Sequence, residues 1–235
     1  MLKGRTVPVK ALSEEQARAM YLIMTEYYDN ITEQNFYSDL SKKIDVILLC
    51  DENDMIHGFT TLAIFPYDEH TLLIFSGDTI IEKEYWGNND LQPIWLNTAL
   101  THAMNFIGKT YWLLLSKGYK TYKFLPVFFN DFFPRVDTET PKEIQEIIDK
   151  FGMEHFGDKY QNGVWVEGKD YLKEDFAGIS EAQLKDKNVA FFLKKNPNYS
   201  CGNELVCLTE LSVDNLNRAG RRILERCKIS ENNIQ

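Results

Sequence analysis

From Ile44 to Ile81 the chain sets three strand-type runs between two short polar turns, and this stretch limits the possible folds more than any other. "IDVILLC" ends at Cys50, "MIHGFTTLAIF" follows the turn "DEND", and "TLLIFSGDTII" follows "PYDEH". β-Branched and aromatic residues fill all three runs, and turns this short join neighbouring strands only as antiparallel hairpins. In the third run Ser76 and Gly77 break the apolar texture near its middle, which predicts a β-bulge there.

Helical patterns flank this meander. "SEEQARAMYLIMTEYY" opens with Ser13 and Gln16 at capping-box spacing and repeats apolar residues through Ala17, Met20, Tyr21 and Met24. A second helix begins at Thr32, with Phe36 and Leu40 on one face. After the meander, "LQPIWLNTALTHAMNFI" carries an apolar stripe at Leu96, Ala99, Leu100, Ala103, Met104 and Ile107. Its Pro93 falls in the opening turn, where a missing N–H costs little, so the helix is predicted to start between Asn89 and Leu91.

Beyond Gly108, "TYWLLL" reads as a buried strand, and "KGYKTYKFLPVFF" turns into a short helix that closes near Pro126 or Pro134. "TPKEIQEIIDKF" is a helix with Thr140 as its N-cap and Pro141 at its first position, and "GVWV" is a short strand. Residues 168–235 are more polar and are expected to wrap the main domain of residues 1–167 as an extension, in which "SEAQLKDKNVAFFL" and "ELVCLTEL" are structured.

The 235 residues are 44% hydrophobic, enough for one sizeable core. The apolar runs are far shorter than the roughly 20 residues of a bilayer span, and "MLKGRTVPVK" lacks the apolar region of a signal peptide. A cytoplasmic protein is expected, without a membrane partner. A formal charge of −9 argues against nucleic acid. Cys50, Cys201, Cys207 and Cys227 are widely spaced, and His57, His70, His102 and His155 share no ligand spacing, so no metal site is expected. Hydrolase, Walker and dinucleotide motifs are also missing.

An early helical pair, an antiparallel meander, a turn that opens a long helix, then strand, helix and strand: this order, from Val7 to Val166, resembles the GNAT superfamily of acyl-CoA-dependent N-acetyltransferases. In that family the turn before the long helix carries an "EYRGKGIG"-like phrase whose amides bind the pyrophosphate of coenzyme A. Here "IIEKEYWGNNDL" is similar to it. Glu84, Tyr85 and Gly87 match, Trp86 stands where the family has arginine or glutamine, and Asn89 and Leu91 replace later glycines. A helix N-terminus binds anions through its backbone whatever its side chains, but a capping carboxylate at Asp90 would compete for the same amides.

The resemblance implies an α/β (α+β) fold with a mixed, mostly antiparallel central sheet, and acetyl-CoA or another acyl-CoA as co-substrate. It implies transfer to an amine of a small molecule or peptide. The cofactor would meet Ile80, Ile81, Trp86, Gly87, Asn88, Asn89 and Asp90, with Lys117 and Lys120 as further contacts. Asp78 would take the amine proton and Tyr122 would protonate the thiolate, with Glu82 and Tyr119 as the respective alternatives. Each also has a plain structural explanation: a turn carboxylate for Asp78, surface packing for the tyrosines, solvated lysines. Phe124, Phe128, Phe129, Phe132 and Phe133 line a pocket or lie beneath the C-terminal segment. Arg218, Arg221, Arg222 and Arg226 suit the charge pattern of a final helix. "ELVCLTEL" and exposed aromatics leave a homodimer open. The rival to an enzyme is a GNAT-like binding or regulatory module that has lost acyl-CoA binding, a reading that Trp86, Asp90 and Leu91 favour.

Overall fold

The structure is a computed structural model that describes residues 1–29, 31–87, 90–166 and 178–232, with side chains in the last helix as far as residue 226. The three strand-type runs are β2 (Asp45–Cys50), β3 (Ile56–Asp68) and β4 (Thr71–Ile81), joined as antiparallel hairpins. The first turn is tightened by Asp51, whose Oδ1 accepts the amides of Asn53 and Met55, both at 2.9 Å. β5 (Lys109–Ser116) then pairs parallel to β4.

Two strands depart from the sequence reading. β1 (Lys3–Pro8) pairs antiparallel with β2 at one edge of the sheet, and its mostly exposed side chains gave no apolar alternation to read. β8 (Glu204–Glu210), from "ELVCLTEL", lies inside the sheet, between β5 and the short pair β6 (Tyr160–Gln161) and β7 (Val164–Trp165). Among the described residues the sheet has eight strands in the order β1-β2-β3-β4-β5-β8-β7-β6, mixed and mostly antiparallel as expected. Residues 204–210 therefore share the sheet, and Val189, Phe192, Leu205 and Leu216 share the core, of the rest of the chain. The expected boundary, 167/168, lies outside the described residues. β8 is buried along most of its length and is no free edge, so it gives no reason to expect a dimer.

On one face of the sheet, α1 (Glu14–Tyr27) and α2 (Glu33–Leu40) cover β2 and β3 with a core that includes Met20, Phe36, Leu48 and Phe59. Ser13 and Gln16 form the expected capping box, and Thr32 caps α2. Farther along the same face, α6 (Lys142–Phe156) packs Ile148 and Phe151 onto Leu113 and Val206. Its N-cap is Pro141, one residue later than expected, and Thr140 precedes the cap.

The opposite face carries α3 (Leu91–Met104), the short α4 (Tyr119–Tyr122) and α5 (Phe124–Phe128), and α8 (Lys187–Lys195), which follows the short α7 (Glu181–Leu184). The last helix, α9 (Arg218–Asn232), packs on α3 and α5. α3 starts within the expected range, but it ends before Ile107, and Met104 and Ile107 face solvent. The buried set on α3 is Leu91, Pro93, Leu96, Ala99 and Leu100, which reaches round the helix because it lies between the sheet and α9. No helix among the described residues is long and apolar enough to cross a membrane.

Candidate active site

The site begins with a mismatch between β3 and β4. Leu62 faces Ser76 and Thr60 faces Thr79, so Gly77 and Asp78 together stand opposite Thr61. This is the expected bulge, one residue later than its predicted centre. It needs glycine at Gly77, where a Cβ would collide with Thr61 Oγ1 and come within 3.0 Å of Lys43 Nζ. A bulge bends its strand and increases the local twist.

The bend parts β4 from β5. Their parallel pairing runs from Thr71 opposite Lys109 to Ser76 opposite Leu114 and stops there. β4 continues on β3, while β5 continues on β8 as far as Ser116 opposite Leu205. Glu82 N donates to His57 O at 2.9 Å. The alternation of an antiparallel ladder then turns the N–H groups of Ile81 and Thr79 away from β3, towards the gap.

A cleft of about 270 Å³ opens in this fork on the α3 face. Trp95 and Trp112 form its floor, with rings 4.2 Å apart, and Phe124, Phe128, Phe129 and Tyr199 form much of its wall. Ile223 of α9 closes one side. Thus Phe124, Phe128 and Phe129 line a pocket and also lie beneath the C-terminal segment, while Phe132 is buried in the core. The polar groups on its wall include Ser76, the Thr60–Thr79 hydroxyl pair at 2.7 Å, Gln92, Tyr119, Thr121, Lys117 and Lys120.

The two candidate tyrosines separate here. Tyr122, the preferred acid, is 0% exposed and donates its hydroxyl to the Pro134 carbonyl at 2.9 Å, among Phe132, Phe191 and Phe192. Burial holds its phenol far above the ordinary range, and it is not part of the cleft wall. Tyr122 is a core residue, which corrects that assignment. Tyr119, its alternative, lines the cleft at 6% exposure, and its hydroxyl is buried without a hydrogen-bond partner among the described residues. Burial, against the nearby Lys123 charge, raises its pKa and keeps the phenol protonated.

Asp78 stands in the bulge but outside the cleft wall, with Lys43, Asp39 and Lys117 as its charged neighbours. Burial raises its pKa, and Lys43 and Lys117 oppose that rise. Asp39 belongs to α2 and Lys43 follows that helix, while Lys117 lines the aromatic cleft, so Asp78 has charged neighbours on both sides of the fork. Glu82, the reserve base, is held by His57 Nδ1 at 2.7 Å and does not reach the cleft.

Of the expected cofactor contacts, Ile80, Ile81, Trp86, Lys117 and Lys120 line the cleft. Trp86 Nε1 donates to the Ile81 carbonyl at 2.8 Å, and Lys120 Nζ lies 4.5 Å from the centre of the Trp86 ring, so the pair forms one lip of the opening. Lys117 also pairs with Glu204 at 3.3 Å. Gly87 adopts φ +77 with open space where a Cβ would be. Asn88 and Asn89 lie outside the described residues. Asp90 is the N-cap of α3, yet its side chain caps no amide among the described residues; the carboxylate lies 3.5 Å from Lys3 Nζ. The competition expected from an Asp90 cap is therefore absent.

Three residues of the site escaped the sequence reading. Nothing local singles out Trp95, Trp112 lies in a run that reads as a buried strand, and Ser76 reads as part of the predicted bulge. The one available signal was a serine inside an otherwise apolar buried run.

No protein-family model matches the chain, and no curated protein matches it. Its fold is similar to several solved structures, among them GNAT-family acetyltransferases. One is the N-acetyltransferase YhbS from Escherichia coli in complex with CoA, at TM-score 0.37 and 11% identity, covering 50% of this chain and 64% of that one. Another is ElaA from Escherichia coli, at TM-score 0.38 and 18% identity, over 60% of this chain and 95% of that one. A third is a GNAT family acetyltransferase from Elizabethkingia anophelis with acetyl-CoA bound, at TM-score 0.35 and 15% identity, over 72% and 94%. The chain thus spans less than two thirds of YhbS.

Proposed function

We propose that this protein is an acyl-CoA-dependent N-acyltransferase, which moves an acetyl or longer acyl group from coenzyme A to an amine of a small molecule or peptide. One observation carries the reading. Two parallel strands part at a bulge, and the apolar cleft in the fork contains a buried tyrosine hydroxyl with no hydrogen-bond partner among the described residues. A hydroxyl in that condition costs about 1–3 kcal/mol unless a ligand satisfies it.

The residues fit a thioester with a long, mostly uncharged arm. Outward-facing amides of Thr79 and Ile81 suit an extended amide-containing chain laid along β4, in the manner of an added strand. Trp86 and Lys120 stand at the opening, where a cation beside a helix start favours phosphate. Asp90, drawn towards Lys3, leaves that approach less acidic.

The amine arrives from the α2 side, where Asp39 and Lys43 neighbour Asp78. Asp78 takes the ammonium proton, directly or through one water; its raised pKa brings it closer to that task near neutral pH. The amine nitrogen then bonds to the thioester carbonyl carbon, loses its second proton to water, and the C–S bond breaks. Tyr119 protonates the departing sulfur and recovers its proton from solvent. Both substrates are held together in one fork, so the attack is direct.

The test is release of free thiol from acetyl-, butyryl- and octanoyl-CoA in the presence of a panel of primary amines. Amine-dependent thiol release that falls in Asp78→Asn and Tyr119→Phe supports the reading. Release that is the same in wild type and both variants removes these residues from the mechanism.

A further inference from the structure

Ser76 marks the last shared position of β4 and β5, is 7% exposed, and lies on the wall of the cleft. Its oxygen accepts two hydrogen bonds, from Trp95 Nε1 at 2.8 Å and from Trp112 Nε1 at 2.9 Å. An indole N–H can only donate, and a hydroxyl oxygen has two accepting positions and one hydrogen. Both accepting positions of Ser76 are therefore taken. Its own hydrogen can only be given away, and among the described residues no protein group receives it.

The arrangement is rigid. The Trp95 and Trp112 rings touch, and Trp112 packs on Phe129 with ring centres 5.7 Å apart. Two donors drawing on one oxygen also make its remaining O–H a stronger donor. A serine kept only to satisfy two indoles would itself need an acceptor in so buried a place. The ligand group that meets this hydroxyl must accept a hydrogen bond, which suits a carbonyl oxygen.

We propose that Ser76 is a carbonyl-binding donor, whose hydroxyl holds the thioester oxygen of a bound acyl-CoA and the negative charge that gathers there as the amine adds. This rests on the acyltransferase reading. Ser76 then complements Tyr119: one hydroxyl serves the carbonyl oxygen and the other serves the sulfur.

Calorimetry with acetyl-CoA and with desulfo-CoA, which has no thioester carbonyl, separates the possibilities. Ser76→Ala is expected to weaken acetyl-CoA about five- to tenfold and to leave desulfo-CoA unchanged. Ser76→Cys keeps the size but donates weakly, and guards against a disturbed fold in the alanine variant. On wild type the infrared carbonyl band of bound acetyl-CoA should shift to lower frequency, and on Ser76→Cys it should move back. Equal loss for both ligands, or no loss for either, overturns the role of Ser76 and leaves the transferase reading standing. Wild-type protein that binds neither ligand overturns both.

Discussion

Ser76 and Leu114 are the last residues that β4 and β5 hold in parallel register, and the cleft opens at the point where that pairing ends. The bulge at Gly77 and Asp78 produces the separation, so changes there should reach the ligand site through the backbone.

Gly77→Ala puts a methyl group against Thr61 and Lys43. Overpacking of this kind costs about 1–3 kcal/mol. Denaturant unfolding is expected to show a loss in that range, together with weaker acyl-CoA binding. A variant as stable as wild type would mean that the bulge has room to spare.

Asp78 gives a pH test with a definite sign. Its folded-state pKa is raised above the unfolded value, so the folded chain holds the proton more tightly and stability falls as pH rises through that window. Asp78→Asn should therefore be more stable than wild type at neutral pH, with the difference closing below the ordinary carboxylate range. Turnover should fall far more than acyl-CoA affinity. Thermal melts across pH check the first part and steady-state kinetics the second. An asparagine variant less stable at neutral pH would contradict the burial argument.

The two tyrosines should behave oppositely on loss of their hydroxyls. Tyr122→Phe removes the bond to the Pro134 carbonyl and is expected to cost about 0.5–1.5 kcal/mol or more, with turnover per folded molecule unchanged. Tyr119→Phe deletes a hydroxyl that has no partner among the described residues, so stability should hold or rise while turnover drops. Parallel unfolding and rate measurements on both variants decide this. Loss of turnover in Tyr122→Phe alone would reverse the assignment.

How far the sequence could have led to these residues depends on the distance over which each interaction acts. β2, β3 and β4, the α1 capping box and the α3 start were legible because their apolar runs and caps are local. β1 was not, since its exposed edge residues carry no alternation. The strand in "ELVCLTEL" was legible but its place beside β5 was not, because that pairing joins distant parts of the chain. Tyr119 and Tyr122 sit one turn apart on α4, and nothing local says which of them faces the cleft. Phe191 and Phe192, from α8, enclose Tyr122 and so leave Tyr119 on the cleft side. The role of Ser76 appears only when Trp95 and Trp112 meet across α3 and β5.

The aromatic walls set an expectation for acyl length. Each methylene transferred from water into an apolar wall contributes about 0.8 kcal/mol, roughly fourfold in affinity, until the cleft is full. Affinity is expected to rise from acetyl- to butyryl-CoA and then level off. A flat series would place the acyl group away from Trp95, Trp112 and Phe129.

The most direct measurement is a titration of the full chain with acetyl-CoA and longer acyl-CoAs, read by calorimetry and by the unfolding temperature. Saturable one-to-one binding that raises the unfolding temperature in proportion to occupancy is the expected result. No heat and no shift with any acyl-CoA, from a chain shown to be folded, would contradict the proposal that the fork between β4 and β5 is built for a thioester.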